Sequence, residues 1–176
     1  MSGDFMESGK QDGTAKTYDL LSRILLERMP APGTYPTPIP GFVINRRDET
    51  NRPENCFNKP ILAVTVQGAK RTVVGSEEYR YGAGNCLLAG VDMPNMSYLT
   101  EASPEKPYLV MCLDIDSQLN TRLAAHLPPV TASPGAIRGT AVPPADPDIL
   151  GAFFRFLARL DKPEQHPFHA PAIIRA

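Results

Sequence analysis

The feature that most constrains the fold is a series of short apolar runs between Phe42 and Ile115. These runs are rich in Val, Ile, Leu and Tyr, and turn residues separate them about every 8 to 12 positions, which is typical of an all-β sandwich or small barrel. Gly75 and Ser76 supply the turn of a tight hairpin. The sequence therefore predicts many short antiparallel strands, namely FVINR, ILAVTVQ, KRTVV, EYRY, NCLLAG, MSYLTE and YLVMCLDI.

Polar, helical and proline-rich segments precede the β-region. Residues 1–16 are polar and show no apolar period, so we expect a disordered leader. In the segment 17–41, Thr17 is a plausible N-cap of a short amphipathic helix that Pro30 ends. The stretch from Pro30 to Gly41 carries five prolines and is expected to run extended across the surface as an arm. This arm is either a permanently packed connector or a lid over a ligand.

The segment 117–176 is predicted to be helical. One helix is expected from Ser117 and a second from the cap Asp146 and the first-turn Pro147, so that the two form a helical hairpin. A third helical start at Ala170 has room for about one and a half turns, so we expect a longer protein to continue beyond this chain. The second helix carries one wide apolar stripe. The stripe consists of Ile149, Phe153, Phe156, Leu157 and Leu160.

Composition excludes several classes of protein. Lys and Arg number 18 against 19 Asp and Glu, and the net charge of −1 offers no electrostatic footprint for DNA or an anionic membrane. No apolar run approaches the roughly 18 residues that span a bilayer, and the N-terminus lacks the apolar core of a secretion signal. With three cysteines and no CxxC pair, reduced thiols are expected. We therefore predict a cytoplasmic protein without a membrane partner.

The chemically reactive residues do not assemble into a catalytic set. The two histidines at positions 166 and 169 form either a metal site or part of a solvated loop, and the loop is favoured. The cysteines are predicted to be core residues more readily than nucleophiles. No catalytic residue, metal ligand or cofactor is therefore predicted. The histidines are His126, His166 and His169, and the cysteines are Cys56, Cys86 and Cys112.

The two strands that flank the loop 102–107 contain the candidate pocket residues. Antiparallel pairing across this loop places Glu101 opposite Tyr108 and Tyr98 opposite Met111. Because burying carboxylates without partners is costly, the face with Tyr98 and Met111 is expected to point into the barrel. That face is either ordinary core or the lining of a pocket for a mostly apolar small molecule. Its members are Met96, Tyr98, Thr100, Leu109, Met111 and Leu113.

Several motifs in order resemble the N-terminal domain of AraC-type transcriptional regulators. They read TPIPG, VTVQGAK, YRYGAGNCLLAGVDMP and EASPEKPYL, and the resemblance covers roughly residues 18–161. It implies a cupin-like double-stranded β-helix barrel, here residues 42–116, that binds a small-molecule effector and is followed by dimerising helices. It also implies a helix-turn-helix module that this chain lacks, so DNA is expected as a partner only through that module. The chain is not expected to be an enzyme.

The resemblance also implies particular site residues. Effector contacts are expected from Gln67, Tyr98, Leu109 and Met111. Leu109 and Met111 replace the polar or aromatic residues that a sugar site prefers, so a sugar is disfavoured as the effector. Asn95 stands where metal-binding cupins carry a histidine, and asparagine is a poor ligand for Zn, Fe or Mn.

A homodimer is predicted, with Phe153, Leu157 and Leu160 in its interface. The apolar width of their helix exceeds what one contact with the barrel needs, and two-fold dimers are the commonest oligomers. The alternative is that this stripe simply covers the barrel. Two other functions stay open: a metal-dependent small cupin enzyme, and a dimerisation scaffold whose barrel is completely filled by side chains.

Overall fold

Two sheets and two helices make up the described part of the chain. The structure, a computed structural model, describes residues 4–116 and 139–161, together with positions 118, 121 and 125. The predicted class, mainly β with flanking helices, is confirmed. In chain order the elements are α1 (Asp4–Arg28), β1 (Gly33–Pro36), β2 (Phe42–Arg47), β3 (Glu54–Asn58), β4 (Ile61–Gln67), β5 (Ala69–Val74), β6 (Glu77–Gly82), β7 (Cys86–Ala89), β8 (Met93–Glu101), β9 (Tyr108–Asp114), β10 (Thr140–Ala141) and α2 (Pro147–Arg159).

The strands form a six-stranded sheet in the order β1-β2-β9-β4-β7-β10 and a four-stranded sheet in the order β3-β8-β5-β6. All seven strands predicted from the apolar runs are present. The hairpin predicted at Gly75 and Ser76 joins β5 to β6, and Gly75 has a φ of 59°. Strands β1, β3 and β10 were not predicted, because they are short and lack a run of apolar residues.

The proline-rich arm contributes a strand to the six-stranded sheet. Residues from Gly33 to Pro36 form β1, which pairs antiparallel with β2 from Arg46 to Val43. This strand lies at the edge of the sheet, which is where a proline without a backbone N–H is tolerated. Beyond it, Ile39 is 1% exposed, so the arm is docked on the sheet.

The predicted pairing of β8 with β9 is wrong. Strand β8 pairs with β3 and β5 in the four-stranded sheet, whereas β9 pairs with β2 and β4 in the six-stranded sheet. The loop between Glu101 and Tyr108 thus carries the chain from one sheet to the other. The predicted common face is wrong for the same reason, since Met96 is 37% exposed while its neighbours Asn95 and Ser97 are buried.

Both helices pack on one face of the six-stranded sheet, where they form the larger core. Phe42 of β2 lies at its centre, with ring centroids 5.9 Å from Phe153 and 5.2 Å from Phe156 of α2. A second, smaller cluster lies on the opposite face of this sheet, against the four-stranded sheet. The fully buried members of the larger core include Leu21, Leu25, Met29, Phe42, Val64, Val66, Leu109, Met111, Phe153, Phe156 and Leu157.

The helix boundaries agree with the sequence at one helix and differ at the other. Asp146 caps α2 as predicted, since its Oδ1 accepts a hydrogen bond from the Asp148 N–H at 2.7 Å and Pro147 follows it. In contrast, α1 begins at Asp4, within the segment 1–16 that was predicted to be a disordered leader. This segment contains no proline that would stop the helix, and the apolar contacts that hold α1 to the sheet come later in the helix.

Part of the predicted organisation lies outside the described residues. The first helix of the predicted C-terminal hairpin, the third helical start and the histidines fall largely or wholly within the ranges 117–138 and 162–176. Within the described part of the chain, neither helix combines the length and the apolar character needed to cross a bilayer.

Candidate functional site

A cavity of about 480 Å³ lies between the two sheets, and we call it the intersheet cavity. Its position follows from the alternation of side chains along each strand. In β9, for example, Leu109 and Met111 point to the helices, whereas Tyr108 and Val110 point to the other sheet. Its lining includes the side chains of Asn45, Arg47, Ala63, Lys70, Tyr81, Leu87, Ser97, Leu99, Tyr108, Val110 and Cys112.

Two buried tyrosines provide polar groups inside the cavity. The Tyr81 hydroxyl is hydrogen-bonded to the Thr72 hydroxyl at 3.0 Å, and the Tyr108 and Thr65 hydroxyls are 3.5 Å apart. Burial raises the pKa of Tyr81 to about 12 and the pKa of Tyr108 well above its usual range. Both phenols are therefore neutral at physiological pH and act as hydrogen-bonding groups and not as charges.

The thiols of two cysteines, Cys56 and Cys112, also border the cavity. The Asn45 side-chain amide donates to the Cys112 sulfur at 3.8 Å, and the Cys56 sulfur lies 3.5 Å from the Ser97 hydroxyl. Burial raises the pKa of the Cys112 thiol to about 11, so its reactive thiolate form is scarce at neutral pH. All three cysteines are free, as the sequence predicted.

Lys70 is the most unusual residue of the lining. It lies in β5, directly opposite Tyr81 of β6 and Leu99 of β8, so its side chain shares their face of the four-stranded sheet. Among the described residues, its ammonium forms no hydrogen bond and no ion pair. Burial lowers the pKa of this ammonium, which is the direction expected when a cation leaves water.

Arg47 connects the cavity to the docked arm. Its guanidinium donates to the Gly33 carbonyl at 2.7 Å and to the Thr34 hydroxyl at 2.9 Å. The Thr34 hydroxyl in turn donates to Asn45 Oδ1 at 2.8 Å, and both Asn45 and Arg47 border the cavity. The arm is therefore held by side chains that line the cavity, and the alternative that it acts as a movable lid stays a prediction.

The structure does not bring the four predicted effector residues together. Gln67 donates from Nε2 to the Pro107 carbonyl at 2.8 Å and borders a separate groove of about 780 Å³ between α1 and the turns at one end of the sheets. Tyr98 borders the intersheet cavity, but its ring packs under the Arg71 guanidinium at 5.7 Å on the other face of its strand. Leu109 and Met111 are fully buried in the helix-covered core, so they line neither space.

The predicted dimerisation residues are also placed in the core of a single chain. Phe153 and Leu157 are 1% exposed, and Leu160 packs against the same cluster. The stripe therefore covers the six-stranded sheet, which is the alternative to a dimer interface that the sequence leaves open. The apolar side chain that α2 leaves accessible is Phe154, which is 38% exposed.

Asn95, which the sequence resemblance equates with the histidine of metal-binding cupins, is buried. Asn95 is 7% exposed, and its Nδ2 has no hydrogen-bond partner within the described residues. Across the part of the chain that the structure describes, no three His, Cys, Asp or Glu side chains converge on a point that would hold a metal ion.

Lys70 was missed as a candidate although the sequence contained a signal for it. In the run AKRTVV, Lys70 and Thr72 share one face and Arg71 lies on the other, so strand alternation already separates the two cations. The sequence does not show which of these two faces points into the protein. The Arg71 side chain bonds to Glu78 and stacks on Tyr98, and these contacts identify its face as the outer one.

Comparison with known proteins points to one family and one fold. The family model described as the AraC-type transcriptional regulator N-terminus matches residues 38–176. An apo structure of ToxT from Vibrio cholerae matches with a TM-score of 0.52 and 10% identity, over 77% of this chain and 52% of that chain. The chain thus spans about half the length of ToxT. The likeness agrees with the predicted cupin-like fold.

Two further solved structures are similar at lower scores. ToxT from Vibrio cholerae bound to an unsaturated fatty acid has a TM-score of 0.44 at 12% identity and covers 76% of this chain and 50% of its own. The AraC-like transcriptional activator CuxR has a TM-score of 0.40 at 8% identity and covers 77% and 48%. No curated protein sequence matches the chain.

Proposed function

Because the chain belongs to the family of AraC-type transcriptional regulator N-terminal domains, we propose that it is the effector-binding regulatory domain of such a transcription factor. The observation that carries the proposal is the intersheet cavity. Its volume of about 480 Å³ lies within the range of roughly 300 to 1,000 Å³ that small-molecule sites occupy. A regulator of transcription works where the DNA is, so the proposal includes a cytoplasmic location.

The lining of the cavity supports binding in preference to a purely structural role. Apolar side chains of Ala63, Leu87, Leu99 and Val110 cover part of the wall, and a few polar groups converge on the remainder. This combination is typical of sites that bind an organic molecule and fix its orientation. A scaffold whose interior is filled by side chains would leave no such space.

No observation among the described residues favours the metal-dependent enzyme. Glu49, Glu54, Cys56 and Cys112 border the cavity, but no three side chains of a metal-binding type converge on one point within the described residues. Asn95 lies on the inward face of β8 next to Ser97, where a ligand set would need a histidine or carboxylate.

We expect a metabolite that enters the cavity to stabilise the protein. At a ligand concentration 100 times its Kd the gain is about 2.7 kcal/mol, which corresponds to a rise in melting temperature of roughly 5 to 10 °C for a domain of this size. Thermal shift against a metabolite panel measures it. Ala63→Phe, which adds a ring inside the cavity, should abolish the shift, whereas Ala158→Phe, which adds the same ring at an exposed position of α2, should keep it.

Equal shifts in both variants would place the binding site elsewhere and contradict the proposal. Ala63→Leu adds less volume at the same position and serves if the phenylalanine variant does not fold. A panel without any hit for the wild type would count against effector binding when the panel includes neutral, anionic and cationic compounds.

A homodimer remains part of the proposal, but its interface is now expected on the face of α2 that carries Phe154. With Phe153 and Leu157 buried, the accessible apolar side chain on this helix is Phe154, next to a groove formed with Ile24 of α1. Light scattering at high micromolar concentration should give twice the chain mass of 19.2 kDa. Phe154→Ser should lower the dimer fraction, while Phe57→Ser, on the distant strand β3 and 63% exposed, should not. A monomeric wild type would contradict the dimer.

A further inference from the structure

We propose that the effector carries a carboxylate that pairs with Lys70, joined to an apolar body that occupies the rest of the intersheet cavity. The proposal rests on the proposed function, because it names the chemistry of the ligand for the same cavity. It starts from the position of Lys70, a half-buried cation that borders the cavity and has neither a hydrogen bond nor an ion pair among the described residues.

The two phenols and the guanidinium of the lining are already engaged by the protein. Tyr81 is hydrogen-bonded to Thr72, and the Tyr108 hydroxyl lies within reach of Thr65. The guanidinium of Arg47 uses three of its five N–H donors on the Gly33 and Arg46 carbonyls and the Thr34 hydroxyl, whereas the Lys70 ammonium has no such partner. Lys70 is therefore the cation of the lining that is available to a ligand. A charge-assisted hydrogen bond to a carboxylate would satisfy it.

The carboxylates that border the cavity do not replace such a ligand. Glu49, in the connection between β2 and β3, and Glu54, on the edge strand β3, are exposed and remain hydrated. Neither forms an ion pair with Lys70 in the described part of the chain. A solvated carboxylate at the rim stabilises a buried ammonium much less than a direct partner does.

The rest of the wall defines the body of the ligand. The side chains of Ala63, Leu87, Leu99 and Val110 are 5 to 8% exposed and present aliphatic surface. The buried rings of Tyr81 and Tyr108 add aromatic faces. Because a single cation is available, the structure points to a monocarboxylate with an aliphatic or aromatic body rather than to a dianion or a sugar.

The charge of Lys70 also sets the expected behaviour without ligand. Burial lowers its pKa below the usual 10.5, and Arg47 adds to this effect, whereas Glu54 and the thiols of Cys56 and Cys112 oppose it. The phenols of Tyr81 and Tyr108 stay neutral over the range concerned. Since the folded state binds this proton more weakly than the unfolded state, the ammonium destabilises the fold at neutral pH. The cost disappears as the pH rises through the folded pKa towards 10.5.

Lys70→Met should therefore raise the melting temperature at pH 7, and its advantage over the wild type should shrink towards pH 10.5. Lys59→Met, at an exposed position between β3 and β4, is the matched control and should change little. A loss of stability in Lys70→Met at pH 7 would show that the ammonium has a protein partner, and it would overturn the proposal without any ligand.

The ligand test uses two matched pairs of probes: octanoate with 1-octanol, and benzoate with benzyl alcohol. We expect at least one carboxylate to raise the melting temperature of the wild type in a dose-dependent manner, with a smaller effect of its alcohol. Lys70→Met should weaken the affinity for that carboxylate about ten- to hundredfold, the loss typical of a hydrogen bond to a charged group. Lys70→Gln, which keeps a donor without the charge, should weaken it as well, and Lys59→Met should bind like the wild type.

The outcomes separate this proposal from the proposed function. If neither carboxylate binds, or if binding survives in Lys70→Met, the carboxylate assignment is wrong. If an alcohol or another neutral compound stabilises the wild type but not Ala63→Phe, the effector cavity stands and the assignment of an anion fails alone. If no compound of any charge distinguishes the wild type from Ala63→Phe, both proposals fail.

Discussion

Replacing Phe42 with alanine is expected to lower the free energy of unfolding by about 3 to 5 kcal/mol, the usual range for a buried phenylalanine. The ring is 1% exposed and stacks on Phe156 at a centroid distance of 5.2 Å, with Phe153 against its edge at 5.9 Å. Its removal leaves a cavity where the six-stranded sheet meets α2 and removes two aromatic contacts. Urea denaturation followed by far-UV circular dichroism measures the loss, which is a large part of the roughly 5 to 15 kcal/mol of a typical domain.

Phe57→Ala is the matched control because it makes the same truncation on β3, away from the proposed dimer contact. The Phe57 side chain is 63% exposed, so the truncation leaves no buried cavity and should cost less than about 1 kcal/mol. Similar losses in the two variants would mean that Phe42 is not enclosed by α2. That result would contradict the packing of α2 against the sheet of the same chain.

Gly68→Ala is expected to destabilise the protein by at least about 3 kcal/mol through two separate effects. Gly68 has a φ of +79°, a left-handed conformation that costs an L-residue roughly 1 to 2 kcal/mol. An added Cβ would also lie 2.5 Å from the Glu101 carbonyl oxygen and 3.0 Å from the Tyr108 Cα. Both contacts are backbone atoms at the two ends of the crossover between the sheets, so neither can move aside cheaply.

Gly75→Ala separates the two effects, since Gly75 has a φ of +59° but no atom within 4 Å of the added Cβ. Its cost should be limited to the conformational part, about 1 to 2 kcal/mol. Gly90→Ala, with open space and no left-handed φ, should be nearly neutral. Unfolding curves of all three variants give the comparison. A Gly68→Ala variant no less stable than Gly75→Ala would show that the two sheets do not approach closely at this point.

The existence and type of most elements could be predicted because their signals are local. Each apolar run between Phe42 and Ile115 became a strand, and the turn at Gly75 required only the conformational freedom of glycine. The cap at Asp146 was predictable because a carboxylate followed by proline satisfies the first turn of a helix whatever its surroundings. Strand β1 was missed because its pairing with β2 depends on a partner and on an edge position.

The partners of each strand could not be predicted in this way, because strand pairing depends on segments that are distant in the sequence. A loop as short as the one between Glu101 and Tyr108 usually joins strands of one sheet, and on that basis β8 was paired with β9. In the structure each of the two strands has neighbours on both sides, β3 and β5 for one and β2 and β4 for the other. Pairing with distant segments satisfies the backbone hydrogen bonds on both edges of each strand. A local sequence pattern does not show that these distant segments are better partners than the adjacent strand.

The candidate site shows the same division. Alternation in the sequence by itself determined that Leu109 and Met111 share one face of β9 and Tyr108 and Val110 the other, and that Lys70 and Arg71 point in opposite directions. Only the tertiary structure decided which face borders the cavity. All four of these β9 side chains are buried, because helices cover one side of the six-stranded sheet and the four-stranded sheet covers the other. When both faces of a strand leave water, hydrophobicity no longer distinguishes inside from outside, and only the packing of the other layers does.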